Sequence, residues 1–365
     1  MPTLSSPLPF PIDLPEITAA RVPAGTWTDR AFTWIGGAVD ATVLAAMQVV
    51  IDRLLMPGAE GVTRIRQSAA PFLDTASETG ASAFLDDVGH DHRPNGSETY
   101  LGPLADGIRM SRRIEWSSTD PMQVEHWLHG PGGPRATVVA VHGFAMGYPW
   151  LDAQALFAHD WFRHGLDVAL YTLPGHGARA PRESRFPGES FATADVGEMN
   201  RTLRQAVHEL ALLVDTIRSE TGKPVGLIGL SLGGTLAALL AGRDAELDFV
   251  VPIAPPVCLG DLAWRFFQRS RSRREVEASA LTYEELRACF RIHSPLVHAL
   301  QVPRERVLLV AGRGDRIVPP EHPEALWRHW GEPAIHWYSG SHLAPFGRRG
   351  VCDAIASHLR SLDIL

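Results

Sequence analysis

The chain has 365 residues, of which 45% are hydrophobic and 21% charged, with a net charge of −7. This composition is typical of a soluble globular protein and excludes general disorder, collagen and low-complexity fibre. A weakly acidic chain is not steered onto nucleic acid by its net field, so no nucleic-acid partner is expected. Three widely spaced cysteines without a CxxC pair argue against a disulfide framework and a cysteine-rich zinc site.

The N-terminal segment is rich in proline and lacks the basic and apolar regions of a secretory signal, which predicts a cytoplasmic location. The most apolar window, at 38–56, is interrupted by Asp40, Gln48, Asp52 and Arg53. Its apolar run is therefore shorter than the roughly 20 residues a bilayer span needs. The window predicts a buried or amphipathic helix at 37–56 and no stable membrane span.

Residues 1–105 differ from the rest of the chain: a proline-rich lead, one helix pattern, then a polar stretch to about Leu104. One helix cannot close a hydrophobic core by itself. We therefore expect an N-terminal extension that caps or covers a larger domain at 106–365.

The larger domain alternates strands and helices. The predicted strands are GIRMSRRIEWSS, QVEHWLH, RATVVAVHG, LDVALYTLPGHG, PVGLIGLS, FVVPIAPPV, RVLLVAGRG and AIHWYSG. The predicted helices are 150–164, 196–220, GGTLAALLAG, PEALWRHW and 351–362, with a mostly helical region at about 259–300. Apolar strands followed by helices predict an α/β fold with a mostly parallel sheet covered on both faces. Chemistry is expected beyond the carboxyl ends of the strands.

A candidate nucleophile, Ser231, lies in the pentapeptide Gly-Leu-Ser-Leu-Gly between an apolar strand and a helix of small residues. This is the context that a G-x-S-x-G elbow requires, a strained turn that exposes the hydroxyl. Glycine at 229 and 233 would let strand and helix approach closely. A serine hydroxyl needs a base, and this elbow is usually followed along the chain by an acid and then a histidine.

The acid and the base both have candidates after later strands. Asp315 follows the strand RVLLVAGRG, and Asp261, which follows FVVPIAPPV, is its main rival. His342 follows the last strand and is the expected base, with a carboxylate to fix its tautomer. His336 is expected to be packed within that strand, and His322 to be exposed at a helix start.

The segment HGF at 142–144 follows the first long parallel strand. Acyl transfer needs donors preorganised on the developing oxyanion. In this architecture the donors are the N–H of the residue after the nucleophile, here Leu232, and one from this loop, here Phe144. His142 is then expected to be a structural hydrogen-bonding residue.

With HGF at 142–144, LPGHG at 173–177, GLSLGG at 229–234, GRGD at 312–315 and GSH at 340–342, the chain resembles the α/β-hydrolase superfamily in its serine esterase and lipase branch. The resemblance covers about 107–365. It implies an eight-stranded sheet, a Ser231-Asp315-His342 triad, and no metal or organic cofactor. The first 100 residues have no counterpart in a minimal member.

The region at about 259–300 lies where that superfamily inserts its lid. A lid supplies apolar walls and excludes water, so Trp264 and Phe267 are candidate substrate-binding residues, although lid–core packing explains them equally well. The basic run at 269–274 is interpreted as a solvated helix face, and HDH at 90–92, without a third ligand, is weak evidence for metal.

The leading prediction is a hydrolase of small carboxylic esters that works through an acyl-enzyme. An acyltransferase, amidase or peptidase using the same triad remains open, as does a non-catalytic binding member of the fold. A dehalogenase would need an acid where Ser231 stands. The natural substrate, acyl chain length and oligomeric state are left open.

Overall fold

The computed structural model describes residues 14–54, 58–73, 95–115, 120–191, 193–270 and 273–365. The strands of this part of the chain are β1 (Asn95–Leu104), β2 (Gly107–Glu115), β3 (Met122–His129), β4 (Ala136–Val141), β5 (Leu166–Thr172), β6 (Val225–Leu230), β7 (Val250–Ile253), β8 (Leu308–Gly312), β9 (Ala334–Gly340) and β10 (Pro345–Phe346). They form one sheet in the order β1-β2-β3-β5-β4-β6-β7-β8-β9-β10. The six strands from β4 to β9 run parallel, and the strands at either end pair antiparallel.

The sheet contains two strands more than the eight expected. The additional strands are β1 and the two-residue β10. β1 is polar enough to look like a loop in sequence, but it forms a hairpin with β2, and Glu98 pairs with Arg112 across it at 2.7 Å. The boundary expected between residues 105 and 106 falls in the turn of this hairpin, so β1 is an edge strand of the main sheet.

The helices of the described residues are α1 (Trp27–Leu54), α2 (Gly58–Leu73), α3 (Pro149–Ala155), α4 (Ala158–Arg163), α5 (Val196–Thr221), α6 (Leu232–Ala241), α7 (Leu259–Phe267), α8 (Arg273–Ala278), α9 (Tyr283–Cys289), α10 (Glu321–His329) and α11 (Arg348–Ser361). The helix expected at 150–164 is divided into α3 and α4, because Phe157 has a left-handed backbone with φ 59°. α1 begins well before the expected residue 37. The helical segment between β7 and β8 lies where it was expected.

The sheet is covered on both faces. Every residue of β4 is buried, and its side chains alternate between two apolar clusters. Val139 and Val141 join the cluster that contains α5 and α6, whereas Val138 and Ala140 join the cluster that contains α4 and α11. This explains why the central strands lack polar alternation.

The N-terminal helices pack at two places on the domain. α1 lies against β9 and β10, where Phe32 stacks on Phe346 with ring centroids 4.9 Å apart. α2 packs against α5, α8 and α9. In the described ranges, none of the helices combines the length and the apolar character needed to cross a bilayer.

Candidate active site

Ser231 lies at the sharp turn between β6 and α6. Its backbone has φ 53° and ψ −116°, a sparsely populated conformation for a residue with a side chain. Hydrogen bonds fix the turn on both sides: Ser231 N–H donates to the Ile253 carbonyl at 2.8 Å, and Thr235 N–H donates to the Ser231 carbonyl at 3.0 Å. The strained turn is therefore held by the strand beside it and by the helix that follows.

Two glycines permit this turn. A Cβ at Gly229 would lie 2.2 Å from the Gly233 carbonyl oxygen, and a Cβ at Gly233 would lie 2.1 Å from the Val141 carbonyl oxygen. Neither position can hold a side chain unless the backbone moves. The close approach of strand and helix expected from the sequence is thus present.

Asp315 and His342 come together at the same edge of the sheet, after β8 and β9. His342 Nδ1 lies 2.6 Å from Asp315 Oδ2, while Asp315 Oδ1 accepts hydrogen bonds from the backbone N–H groups of Ile317 and Val318 at 3.0 and 2.7 Å. The Asp315 side chain is 1% exposed and that of His342 is 9% exposed. Within the described residues, no hydrogen bond engages His342 Nε2, and none joins it to Ser231.

The pair polarises the imidazole. Burial alone would lower the pKa of His342, but the charge and hydrogen bond of Asp315, together with the charge of Asp40, raise that pKa above its usual 6.5. Burial also raises the pKa of the Asp315 carboxyl, against the opposing effect of His342 and its backbone donors. The arrangement stabilises an imidazolium, which is what a general base becomes after it takes a proton.

The loop that carries Phe144 is fixed by His142. Leu173 N–H donates to His142 Nε2 at 3.1 Å, so the proton resides on Nδ1, which donates to the Gly143 carbonyl at 2.8 Å. Burial lowers the pKa of His142 to about 3, and the ring is neutral. Its predicted structural role agrees with these contacts.

The two candidate oxyanion donors belong to segments beside Ser231. Leu232 is the first residue of α6, where backbone N–H groups have no intrahelical partner. A Cβ at Gly143, the neighbour of Phe144, would lie 3.3 Å from Ser231 Cβ. Both Phe144 and Leu232 line the same cavity as Ser231.

This cavity has a volume of about 250 Å³ and extends from Ser231 beneath the helical segment between β7 and β8. Ser231 and Thr193 are the polar side chains among the described residues that line it, and the others of this set are apolar. Met47 of α1 and Ile65 of α2 contribute to the wall, as do Ile317 and Val318 from the loop of Asp315. The N-terminal helices therefore reach the candidate site directly.

The two aromatic residues expected on the substrate pocket are in different places. Phe267 lines the cavity, together with Leu262, Ala263 and Phe266 from the same helix. Trp264 does not line it; its ring packs against Tyr283, with centroids 6.0 Å apart. On α7, the side chain of Trp264 therefore lies outside the helix face that lines the cavity.

Asp261, the rival acid, is engaged elsewhere. Its Oδ2 lies 3.0 Å from His322 Nε2 and accepts from Arg265 at 2.7 Å, while Oδ1 accepts from Tyr283 at 2.7 Å. These partners hold the pKa of Asp261 well below its usual range in spite of burial. The expectation that His322 is exposed is wrong: it is fully buried, because it bridges Asp261 and the Val257 N–H.

The remaining expectations concern His336 and metal binding. His336 lies inside β9, as predicted, but it is half-buried and is not one of the packed core residues expected there. The HDH sequence at 90–92 lies outside the described residues. Within those that are described, no group of three His, Cys, Asp or Glu side chains is arranged to hold a metal ion.

Sequence reasoning missed Asp40 as a contributor to this site. It is completely buried on α1, and its carboxylate accepts from Ser341 Oγ and from the backbone N–H groups of Arg316, His342 and Leu343. The only signal in the sequence is a charge inside an apolar window, which does not reveal its partners some 300 residues away.

The chain has relatives among known sequences. A family model described as serine aminopeptidase, S33, matches residues 132–276. An uncharacterized protein of Mycobacterium tuberculosis strain H37Rv is 34% identical over 240 residues, which make up 64% of this chain and 55% of that protein. The chain thus spans about half the length of this curated relative.

Solved structures with a similar fold include two acetyl xylan esterases. Acetyl xylan esterase 1 from Thermoanaerobacterium sp. JW/SL YS485 matches with a TM-score of 0.58 and 15% identity, covering 84% of this chain and 99% of that one. The enzyme from Paenibacillus sp. R4 matches with a TM-score of 0.55 and 17% identity, covering 80% and 93%. At these identities the likeness shows the fold.

Proposed function

We propose that this chain is a member of the α/β-hydrolase superfamily, whose fold it shares, and a serine hydrolase that cleaves carboxylic esters through an acyl-enzyme. The observation that carries the proposal is the buried Asp315–His342 pair at the strand edge where the strained Ser231 turn opens into an apolar cavity. Each member supplies what the chemistry needs: a nucleophile, a base and a group that orients the base.

In the proposed reaction, His342 Nε2 takes the proton of Ser231 as Oγ attacks the ester carbonyl. The N–H groups of Leu232 and Phe144 hold the resulting oxyanion. The tetrahedral intermediate collapses, the alcohol leaves with the proton from His342, and the acyl group remains on Ser231. Water then attacks the acyl-enzyme with His342 again as base, and the carboxylic acid is released.

The cavity favours an apolar acyl group of medium length. At about 250 Å³ the cavity is far larger than the roughly 30 Å³ share of one water molecule, so it has room for an acyl chain of several carbons. Each methylene buried there contributes about 0.8 kcal/mol to binding. An acetyl group, the acyl unit named for the two solved esterases, would leave most of this volume unfilled.

An aminopeptidase is the alternative that the matching family model names. Recognition of a substrate ammonium group would call for a carboxylate in the site. The described residues that line the cavity include no acidic side chain. The lining therefore favours an ester with an apolar acyl group.

The experiment compares hydrolysis of p-nitrophenyl esters from acetate to palmitate by wild type, Ser231→Ala and the surface control Ser219→Ala. We expect an optimum near octanoate, loss of turnover in Ser231→Ala, and wild-type rates in Ser219→Ala, whose hydroxyl donates to a backbone carbonyl on the exposed face of α5. Equal activity of Ser231→Ala and wild type would contradict the proposal. Turnover of amino-acid p-nitroanilides in preference to every ester would establish the aminopeptidase alternative.

A second comparison tests the acyl site. Ala263→Phe adds bulk to the cavity wall and should move the chain-length optimum to shorter esters by about two to four carbons. Trp264→Phe, its neighbour, should leave the optimum unchanged, because that ring faces Tyr283. An optimum that moves with Trp264 and not with Ala263 would place the acyl chain elsewhere.

A further inference from the structure

The N-terminal helix α1 is seated on the end of β9 through a glycine. A Cβ at Gly36 would lie 2.8 Å from the Ser341 backbone nitrogen and 2.9 Å from Gly340, so the helix backbone meets the strand end with no room for a side chain. Asp40 is one turn further along the helix, on the same face. This contact places its carboxylate beside the loop that contains His342.

The Asp40 carboxylate joins two loops that are separate in sequence. Oδ2 accepts from Arg316 N–H and from His342 N–H, both at 3.0 Å. Oδ1 accepts from Ser341 Oγ at 2.8 Å and from Leu343 N–H at 3.1 Å. Arg316 directly follows the candidate acid, and His342 is the candidate base.

A fully buried carboxylate is costly unless hydrogen bonds compensate it. Four donors converge on Asp40: the Ser341 hydroxyl and three backbone N–H groups of the two loops. A carboxylate has enough lone pairs for four donors, whereas an amide has one acceptor oxygen and two N–H donors. The loops are therefore arranged for an ionised acid at this position.

We propose that Asp40 is a positioning residue for the catalytic pair, whose carboxylate holds the loop of Asp315 and the loop of His342 in register, so that the N-terminal helix completes the active site. The inference rests on the proposed function of Ser231, Asp315 and His342. The N-terminal extension then contributes to the reaction, although Asp40 is far in sequence from Asp315 and His342.

The electrostatics of the site agree with this role. Asp315 and Asp40 are the charged groups that act on His342 among the described residues, and both raise its pKa. The buried phenol of Tyr338 lies near both carboxylates. Loss of the Asp40 charge would therefore lower the pKa of His342, in addition to loosening the loops.

The test compares Asp40→Asn with Asp29→Asn, a matched control on the same helix. Asp29 also binds β9, through Ser339, but within the described residues it makes no hydrogen bond to the loop of Asp315 or to the loop of His342. The readouts are kcat and KM for the best p-nitrophenyl ester across pH, at a temperature where circular dichroism shows folded protein.

We expect Asp40→Asn to lower kcat about 10- to 100-fold, with KM changed less than about threefold. The acidic limb of its pH–rate profile should move to lower pH by about half a unit or more. Asp29→Asn should keep kcat within about twofold and the limb in place. Equal effects of the two substitutions, or an unshifted limb in Asp40→Asn, would overturn the role of Asp40.

Two further variants keep the test decisive if Asp40→Asn does not fold. Ser341→Ala removes one of the four donors, and Gly36→Ala pushes α1 away from β9. Both should lower kcat several-fold with little change in KM, and wild-type kcat in both would overturn the inference. If these variants contradict the role of Asp40 while Ser231→Ala is inactive, the proposed hydrolase function still stands. If Ser231→Ala is active, the proposed function fails, and the role of Asp40 fails with it.

Discussion

Among the described residues, two carboxylate–histidine pairs contain an acid that follows a parallel strand, and their differences indicate which one suits catalysis. Asp315–His342 is joined at 2.6 Å and Asp261–His322 at 3.0 Å, and each acid follows a strand of the parallel sheet. His322 uses both ring nitrogens, one for Asp261 and one for the Val257 N–H. His342 uses only Nδ1 within the described residues, which leaves Nε2 for a reaction partner.

The two pairs also differ in their surroundings. Asp261 also accepts from Arg265 on its own helix, and its contacts with Tyr283 and His322 tie α7 to α9 and α10. Asp315 is held by backbone N–H groups of its own loop and faces the cavity of Ser231 through Ile317 and Val318. The same two residue types thus join helices in one place and, in the proposed reaction, orient a base in the other.

The largest expected effect is the difference in kcat/KM between substitutions of the two histidines. His342→Ala should lower kcat/KM by roughly 10⁴-fold or more, because Ser231 then lacks its base. His322→Ala should keep kcat/KM within about tenfold but lower the free energy of unfolding by about 2–5 kcal/mol, because Asp261 loses a buried partner. Steady-state kinetics and urea denaturation check both, and a reversed pattern would exchange the roles of the pairs.

Substitutions of the two acids should show the same contrast between activity and stability, with a smaller loss of activity than the histidine substitutions. Asp315→Asn should lower kcat about 10²- to 10⁴-fold, because the amide favours the wrong tautomer of His342. Asp261→Asn keeps the size of the side chain and should mainly reduce thermal stability. Loss of turnover in a folded Asp261→Asn, with Asp315→Asn active, would show that the acid after β7 is the catalytic one.

The smallest of these effects is on pH dependence. His342 has a raised pKa, so kcat/KM should decline on the acidic side with an apparent pKa above 6.5. The same shift stabilises the folded protein below pH 6.5, and this contribution disappears as the pH rises through the raised pKa. A pH–rate profile with its acidic midpoint below 6.5 would show that the carboxylates do not stabilise the imidazolium.

The central sheet and the arrangement of its loops were predictable because they follow from local patterns. Apolar strands that end in glycine, serine or aspartate predicted where Ser231, Asp315 and His342 would lie, and the parallel sheet brings those strand ends to one edge. The steric need for glycine at 229 and 233 could also be argued from the elbow sequence alone, and the structure shows the close contacts.

The remainder depends on contacts between segments far apart in sequence. Nothing local distinguishes Asp40 from a solvated helix charge, because its four donors belong to loops near residues 316 and 342. His322 was expected to be exposed because its helix start is polar, and only its packing on Asp261 buries it. β1 is similarly polar in sequence and becomes a strand by pairing with β2.

The most direct test of the central claim is the mass of the protein after brief mixing with p-nitrophenyl octanoate and acid quenching, followed by peptide mapping. The account predicts an octanoyl group on Ser231 in the wild type, almost none in His342→Ala because acylation itself needs the base, and none in Ser231→Ala. An acyl group on another residue, or ester turnover by wild type and Ser231→Ala alike, would contradict it.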